Sequence, residues 1–224
     1  MKRKCAVAAL NMIKDGMVVG LGGGSTVSML IEEIEKSGLR IFGVTPSEDT
    51  MQVCLEHHIP MLPLAYVSHV DIAFDGCDEL DEHLNALKSC GGIHTREKIV
   101  ASLSDDYVLL TDEEKYKPAL TNLFPVVLEV IPSAKAYVER EVLKLACTIH
   151  WRSAAGKAGL QLTDDGNYLL DMEFEQLPEI EALSSHLKSM VGVVDISLFY
   201  GVATKAIIAG KNEVRIIERD GGTK

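Results

Sequence analysis

No apolar run in this chain approaches the roughly 18 residues needed to span a bilayer, so a transmembrane helix is not expected. A basic surplus is also missing. Against 33 Asp and Glu stand only 22 Lys and Arg, for a net charge of −11. Broad nucleic-acid binding, which wants a basic surface, is therefore not expected. A single small anion is still compatible, because it needs only local amides and one or two lysines. The five cysteines form no C-x-x-C pair and no zinc-type spacing. Such a scattered set reads as reduced thiols in a cytoplasmic protein. The seven histidines are scattered too, and adjacent His57 and His58 face different directions in a helix-like stretch. No metal site is expected. The basic start before an apolar run mimics a signal peptide. Asn11 interrupts that run and Lys14-Asp15 follows it, so an amphipathic first helix is the expectation. Residues 220–224 form a short polar end.

What is present is an ordinary globular composition. The 224 residues are 47% hydrophobic and 25% charged, enough to bury a core in one large or two small domains. Periodicity predicts a helix at 3–14, a strand at 17–21 and a turn at Gly22-Gly23-Gly24. Ser25 is placed to cap the next helix, whose apolar positions Val27, Leu30, Ile31 and Ile34 follow the helical period. Further strands are expected at 39–44, 59–64, 70–74 and 107–111, with helices at 48–57 and 95–103. Alternating strands and helices imply a parallel, doubly wound sheet. After about residue 124 the order becomes strand 125–131, helix 133–146, strands 147–152 and 168–174, helix 178–190 and strand 193–199. That β-α-β-β-α-β order is the split-βαβ or ferredoxin-like pattern. Two last strands, 204–209 and 213–217, can return to the first sheet. The expected fold class is α/β, with a doubly wound sheet domain from residues 1–124 plus 200–224 and an inserted ferredoxin-like α+β domain at 125–199.

Two stretches carry chemistry. Residues 74–98 pack Asp75, Asp78, Glu79, Lys88, Arg96, Glu97 and Lys98 around a small-residue turn, Ser89-Cys90-Gly91-Gly92. Carboxylates and a lysine beside a flexible turn suit proton transfer, although charged loops are also common on ordinary surfaces. The second stretch is the glycine turn ahead of Ser25 and Thr26. Strand, glycine turn and helix N-terminus make a recurring anion site, because turn amides and the helix dipole both favour a phosphate. The turn is not a dinucleotide fingerprint, since Ser25 or Val27 falls where the last glycine would be. It is not a P-loop either, since no Lys follows the final Gly.

Three motifs point one way. Val19-Gly-Leu-Gly-Gly-Gly-Ser-Thr26 resembles the V-G-x-G-T-G-S-T loop of the A-type ribose-5-phosphate isomerases. Asp75-Gly-Cys-Asp-Glu79 resembles that family's D-G-A-D-E, and residues 88–98 its K-G-G-G-x-A-L-x-R-E-K. Phe124-Pro125, Glu129-Val-Ile-Pro132 and Thr163-Asp-Asp-Gly-Asn167 are similar to further family landmarks in the same order. The resemblance implies a Rossmann-like domain joined to a ferredoxin-like one. It also implies an aldose–ketose isomerase of the non-oxidative pentose phosphate pathway, interconverting ribose 5-phosphate and ribulose 5-phosphate. Glu97 would be the general base, Lys88 its electrostatic partner, and Asp75 and Asp78 would sit on the sugar. Gly23, Gly24, Ser25 and Thr26 would form the substrate loop. Gly76, Cys77, Ser89, Cys90, Gly91 and Lys115 would also contact substrate, and Lys2 a phosphate. A cytoplasmic homo-oligomer, dimer or tetramer, is implied as well.

The residue types fit that chemistry. A partly desolvated carboxylate suits proton abstraction from carbon. A lysine ammonium near the carbonyl oxygen would stabilise the enediolate, and it could do a metal's electrostatic work, so no cofactor and no metal is expected. Asp75 or Asp78 could move hydroxyl protons. The chain also departs from the family. Gly23 replaces a Thr, Cys77 an Ala, Ser89 and Cys90 two glycines, and His94 a Leu. His94 is expected on the surface. Two other readings stand beside the isomerase: a paralogue acting on another aldose phosphate, and a sugar-phosphate-binding protein without catalysis.

Overall fold

The computed structural model describes residues 1–156 and 158–219. The polar end at 220–224 lies outside the described residues. The chain opens with helix α1 (Lys2–Leu10), strand β1 (Val18–Leu21), helix α2 (Ser25–Ser37), strand β2 (Phe42–Val44), helix α3 (Glu48–Glu56) and strand β3 (Val70–Gly76). Short strands β4 (Glu79–Asp81) and β5 (Ala86–Leu87) lead to helix α4 (His94–Leu103), then β6 (Ser104–Asp112) and β7 (Tyr116–Lys117). Next come β8 (Val126–Val130), α5 (Lys135–Val142), β9 (Cys147–Trp151), β10 (Tyr168–Phe174), α6 (Ile180–Ser189) and β11 (Val193–Ile196). Strands β12 (Leu198–Phe199), β13 (Lys205–Ala209) and β14 (Val214–Glu218) finish the fold.

The main sheet runs β14-β13-β6-β3-β1-β2. Its pairs are parallel except the β13/β14 hairpin at one edge. This is a Rossmann-like sheet with helices on both faces, so its inner strands are apolar on both sides. Strand β6 shows the alternation: Val108 and Leu110 join the core under α1 and α2, while Tyr107 and Leu109 join the core under α4. A second sheet, β11-β8-β10-β9, is antiparallel throughout and has the ferredoxin-like strand order. Val126, Leu128 and Val130 of β8 pack into its core with Val138, Val142, Leu183 and Leu187 of α5 and α6. A small third sheet, β12-β5-β4-β7, takes β4 and β5 from between β3 and β6, and β7 and β12 from the two passages between the main sheet and the second one.

Several expected elements change on folding. Residues 59–64 do not form a strand. Only Met61 bridges Gly43, and Leu64–Tyr66 is a 3₁₀ turn. Pro60 and Pro63 have no N–H to donate to a ladder, which explains the loss. The expected strand at 193–199 breaks at Ser197 into β11 and β12, which belong to different sheets. The Ser197 N–H donates to Val127 O and its carbonyl accepts from the Lys88 N–H, so this residue hands the chain from one sheet to the other. Helix α1 stops at Leu10, four residues short of the expected end. Ser25 does not cap α2. Gly24 is the N-cap, at φ +92°, and Ser25 is the first helical residue.

Gly20 is where β1, β3 and α4 meet. A Cβ there would lie 2.4 Å from Ala73 Cβ and 2.8 Å from Val100 Cγ1. The Gly20→Ala variant should lose about 1–3 kcal/mol of stability, the usual cost of overpacking. A urea unfolding midpoint indistinguishable from the parent's would contradict this packing.

Candidate active site

The site forms at the carboxyl ends of β1 and β3, the usual ligand position in an open α/β sheet. Glycine makes it possible. At Gly22 a Cβ would lie 2.1 Å from Asp75 Cγ, so only glycine lets the loop after β1 close over the Asp75 carboxylate. The loop is held from below, where the Gly22 N–H donates to Phe74 O (2.9 Å), and from the side, where Thr50 Oγ1 donates to Gly22 O (2.8 Å).

Asp75, at the end of β3 and only 2% exposed, is the hub. Its carboxylate accepts from the Gly23 N–H (3.2 Å), the Gly76 N–H (2.8 Å) and the Tyr107 hydroxyl (2.9 Å). Lys88 Nζ lies 3.1 Å from Asp75 Oδ1 and 3.1 Å from Glu97 Oε1, and it also donates to Gly76 O. One buried ammonium is thus shared by two buried carboxylates. Lys88 Nζ lies 5.6 Å from the centre of the Phe199 ring. Burial works against the Lys88 charge, but Asp75 and Glu97 outweigh it and hold the ammonium above its ordinary range. Glu97, in the first turn of α4, is pushed up to about 8, first by burial and then by the Asp75 charge, with Lys88 pulling the other way. A carboxyl of this kind holds or releases a proton near neutral pH.

These groups open into a cleft of about 510 Å³. Of the residues expected to bind substrate, Gly23, Gly24, Ser25, Thr26, Gly76, Cys77, Asp78, Gly91 and Lys115 line it. Lys2 also lines it and donates to Ser25 Oγ (2.7 Å), beside the N-terminus of the 13-residue helix α2. Lys115 donates to Cys77 O (2.7 Å), and burial pushes the Cys77 thiol up to about 11. Asp78 Oδ2 accepts from the Ser89 N–H (2.6 Å) and the Cys90 N–H (3.0 Å), so it ties down the turn after Lys88. Ser89 and Cys90 are not among the lining residues. The Ser89 hydroxyl turns away to Pro125 O, and the Cys90 side chain is exposed. Positive φ in this turn falls on Gly92 alone, so the side chains at 89 and 90 cost it nothing.

The rest of the charged cluster at 74–98 is drawn elsewhere. Glu79 accepts from the Thr121 N–H (2.6 Å) and hydroxyl (2.8 Å). Arg96 forks onto Asp165 (2.8 and 2.9 Å) and reaches Asp164 (3.0 Å). Lys98 is buried against Asp195 Oδ1 (2.9 Å) and Ile196 O (2.6 Å), and burial pulls it down to about 8. His94 is fully buried, not on the surface. It sits on the inner side of α4 near Asp195 O (3.4 Å), and burial pulls it down to about 4. Residues 47–49, Ile93 and Leu110 line the cleft without having been named as site residues from sequence, and so does Asp164, which the sequence marks only as part of the Thr163–Asn167 landmark. Tyr107 supports Asp75 from a neighbouring strand. The capping pattern at Ser47, which accepts from the Thr50 N–H, was a readable signal for the first of these, and the Asp-Asp-Gly-Asn turn for Asp164; Leu110 and Tyr107 carry none.

The chain has close relatives. The family described as ribose 5-phosphate isomerase A (phosphoriboisomerase A) matches residues 42–213. "Ribose-5-phosphate isomerase A" of Methanosarcina acetivorans is 38% identical over 222 residues, covering 97% of this chain and 94% of the relative. The protein of the same name from Methanothermobacter thermautotrophicus is 38% identical over 217 residues, covering 95% of each. Among solved structures, a D-ribose-5-phosphate isomerase in complex with phospho-erythronic acid superposes with a TM-score of 0.91 at 32% identity. Ribose 5-phosphate isomerase A of Methanocaldococcus jannaschii superposes with a TM-score of 0.89 at 35% identity. Each superposition covers 97% of both chains.

The shared ammonium sets a testable sign. Removing the Asp75 charge removes a cause that raises Glu97 and leaves Lys88 to Glu97 alone. In Asp75→Asn, the Glu97 carboxyl followed by ¹³C NMR should titrate below the parent value of about 8. Linkage gives a second sign. The folded chain holds a proton that an unfolded Glu releases near 4.5, so this contribution to stability is complete at low pH and is lost as pH rises through about 8. A Glu97 midpoint that rises in Asp75→Asn would contradict the arrangement.

Proposed function

The chain belongs to the ribose 5-phosphate isomerase A family, and from that premise we propose how its cleft works. The protein is an aldose–ketose isomerase that interconverts ribose 5-phosphate and ribulose 5-phosphate. The observation that carries the assignment of roles is the single ammonium of Lys88, 3.1 Å from both Glu97 and Asp75 in a buried pocket.

Glu97 is the base that takes the C2 proton and returns it to C1. Desolvation makes it a stronger base than an exposed carboxylate, with its proton affinity moved toward working pH. Lys88 stays charged and faces the carbonyl oxygen, where negative charge develops in the enediolate. Asp75 holds Lys88 in place. Its oxygens already serve Lys88, Tyr107 and two amides, so it is a poor candidate for proton traffic. Asp78, which lines the cleft, is the better group for hydroxyl protons and ring opening. The phosphate binds where Lys2, Ser25 and Thr26 meet the N-terminus of α2, since dipole, amides and ammonium all favour an anion there. Lys115 adds a second positive charge along the wall. We place the protein in the cytoplasm, in the non-oxidative pentose phosphate pathway, as a homo-oligomer, dimer or tetramer. Family membership supports that placement, as do the free cysteines.

Turnover of ribose 5-phosphate by the purified protein tests the activity directly. Glu97→Gln should cost about 10²–10⁴ in kcat, the usual contribution of a positioned base. Near-full activity in that variant would sink the assignment. Because the base must be ionised, kcat/KM in the parent should fall with tenfold loss per pH unit below the Glu97 midpoint of about 8.

A further inference from the structure

Glu129 sits in β8 among apolar neighbours and is only 2% exposed. Leu128 and Val130 point to the core beneath α5 and α6, so strand alternation turns Glu129 to the opposite face, toward α4. A buried carboxylate is costly unless its lone pairs are filled. Three neutral donors fill them here. Thr95 Oγ1 donates to Oε2, while Thr163 Oγ1 and Asn167 Nδ2 donate to Oε1 at 2.8 Å each. Each donor sits on an element that lines the cleft. Thr95 lies two residues before Glu97 in α4. Thr163 and Asn167 close the turn that carries Asp164, with the Thr163 N–H on Asn167 O (2.8 Å) and the Gly166 N–H on Thr163 O (2.9 Å).

We propose that Glu129 is a positioning residue for the isomerisation, tying the helix that carries Glu97 to the turn that carries Asp164. One carboxylate then sets two walls of the cleft. Its Oε2 aims the base, and its Oε1 holds the turn at the cleft wall. The two arms are separable, because each oxygen serves a different element. A misplacement of about 1 Å in a catalytic group can cost up to about 10²-fold in rate, so loss of the α4 arm acts on kcat and loss of the turn arm acts on KM. The inference rests on Glu97 being the base.

The test is steady-state kinetics of Thr95→Val, Thr163→Val and Glu129→Gln on ribose 5-phosphate, each with a pH profile and a thermal midpoint. Thr95→Val should lower kcat about 10-fold, leave KM near the parent value and shift the acid limb of kcat/KM. Thr163→Val should raise KM several-fold, with kcat and the acid limb in place. Glu129→Gln should show both effects, and adding Thr95→Val to it should lower kcat no further, since both remove the same contact. A purely structural role would lower the thermal midpoints and leave kcat, KM and the acid limb of the folded enzyme unchanged. That result in either threonine variant overturns the proposal, even if Glu129→Gln fails to fold. An active Glu97→Gln variant would instead overturn the reading of Glu97. An inactive Glu97→Gln beside an unaffected Thr95→Val overturns the role of Glu129 alone.

Discussion

The sharing of one buried ammonium between Asp75 and Glu97 is the constraint around which the molecule is arranged. Two carboxylates and one cation out of water are affordable only if every remaining lone pair is served. Asp75 meets that condition with two glycine amides and a tyrosine hydroxyl. Glu97 does not meet it to the same degree, and burial leaves it holding its proton more tightly. The asymmetry divides the labour: the well-served carboxylate anchors, and the poorly served one reacts.

The fold follows from that arrangement at close range. Gly20 lets α4 and β3 approach β1, and Gly22 lets the loop reach Asp75. The N-terminal half of helix α4 is fixed by partners outside the main sheet: Glu129 at Thr95, Asp164 and Asp165 at Arg96, and Asp195 at Lys98. Glu97, between them, faces the other way into the cleft. The antiparallel sheet supplies two of these anchors, Glu129 and Asp195, and the turn leading into β10 supplies the other two, so the contribution of this part of the chain to the site is geometric. The chain is strongly acidic as a whole, yet Lys2, Lys88 and Lys115 converge on one cleft, which suits an anionic substrate.

Much of this was legible from residue order. Short apolar runs alternating with amphipathic helices announced the main sheet, and the β-α-β-β-α-β order announced the second. Glycine turns before Ser25 and after Lys88 marked the flexible backbone around the cleft. Legibility stopped where partners are far apart in the chain. Tyr107 meets Asp75 across two neighbouring strands, and Asp195 meets Lys98 across 97 residues, so no local pattern reports either. Strands of two or three residues, such as β5, β7 and β12, are too short to show a period. The break at Ser197 was hidden because no glycine or proline interrupts residues 193–199, and only the change of hydrogen-bonding partner separates the two halves.

The charged stretch at 74–98 shows where the line falls. By itself the sequence determined which chemistry was on hand: carboxylates, lysines and a turn that could bring them close. It determined local structure as well, since helix and strand periods act over a few residues. Only the tertiary structure decided which charges work together. Of the seven charged groups singled out in that stretch, Asp75, Asp78, Lys88 and Glu97 reach the cleft, while Glu79, Arg96 and Lys98 are held by distant partners. The reason is physical. A charge finds its role by the groups within a few ångströms and by its access to water, and both are set by packing between distant segments.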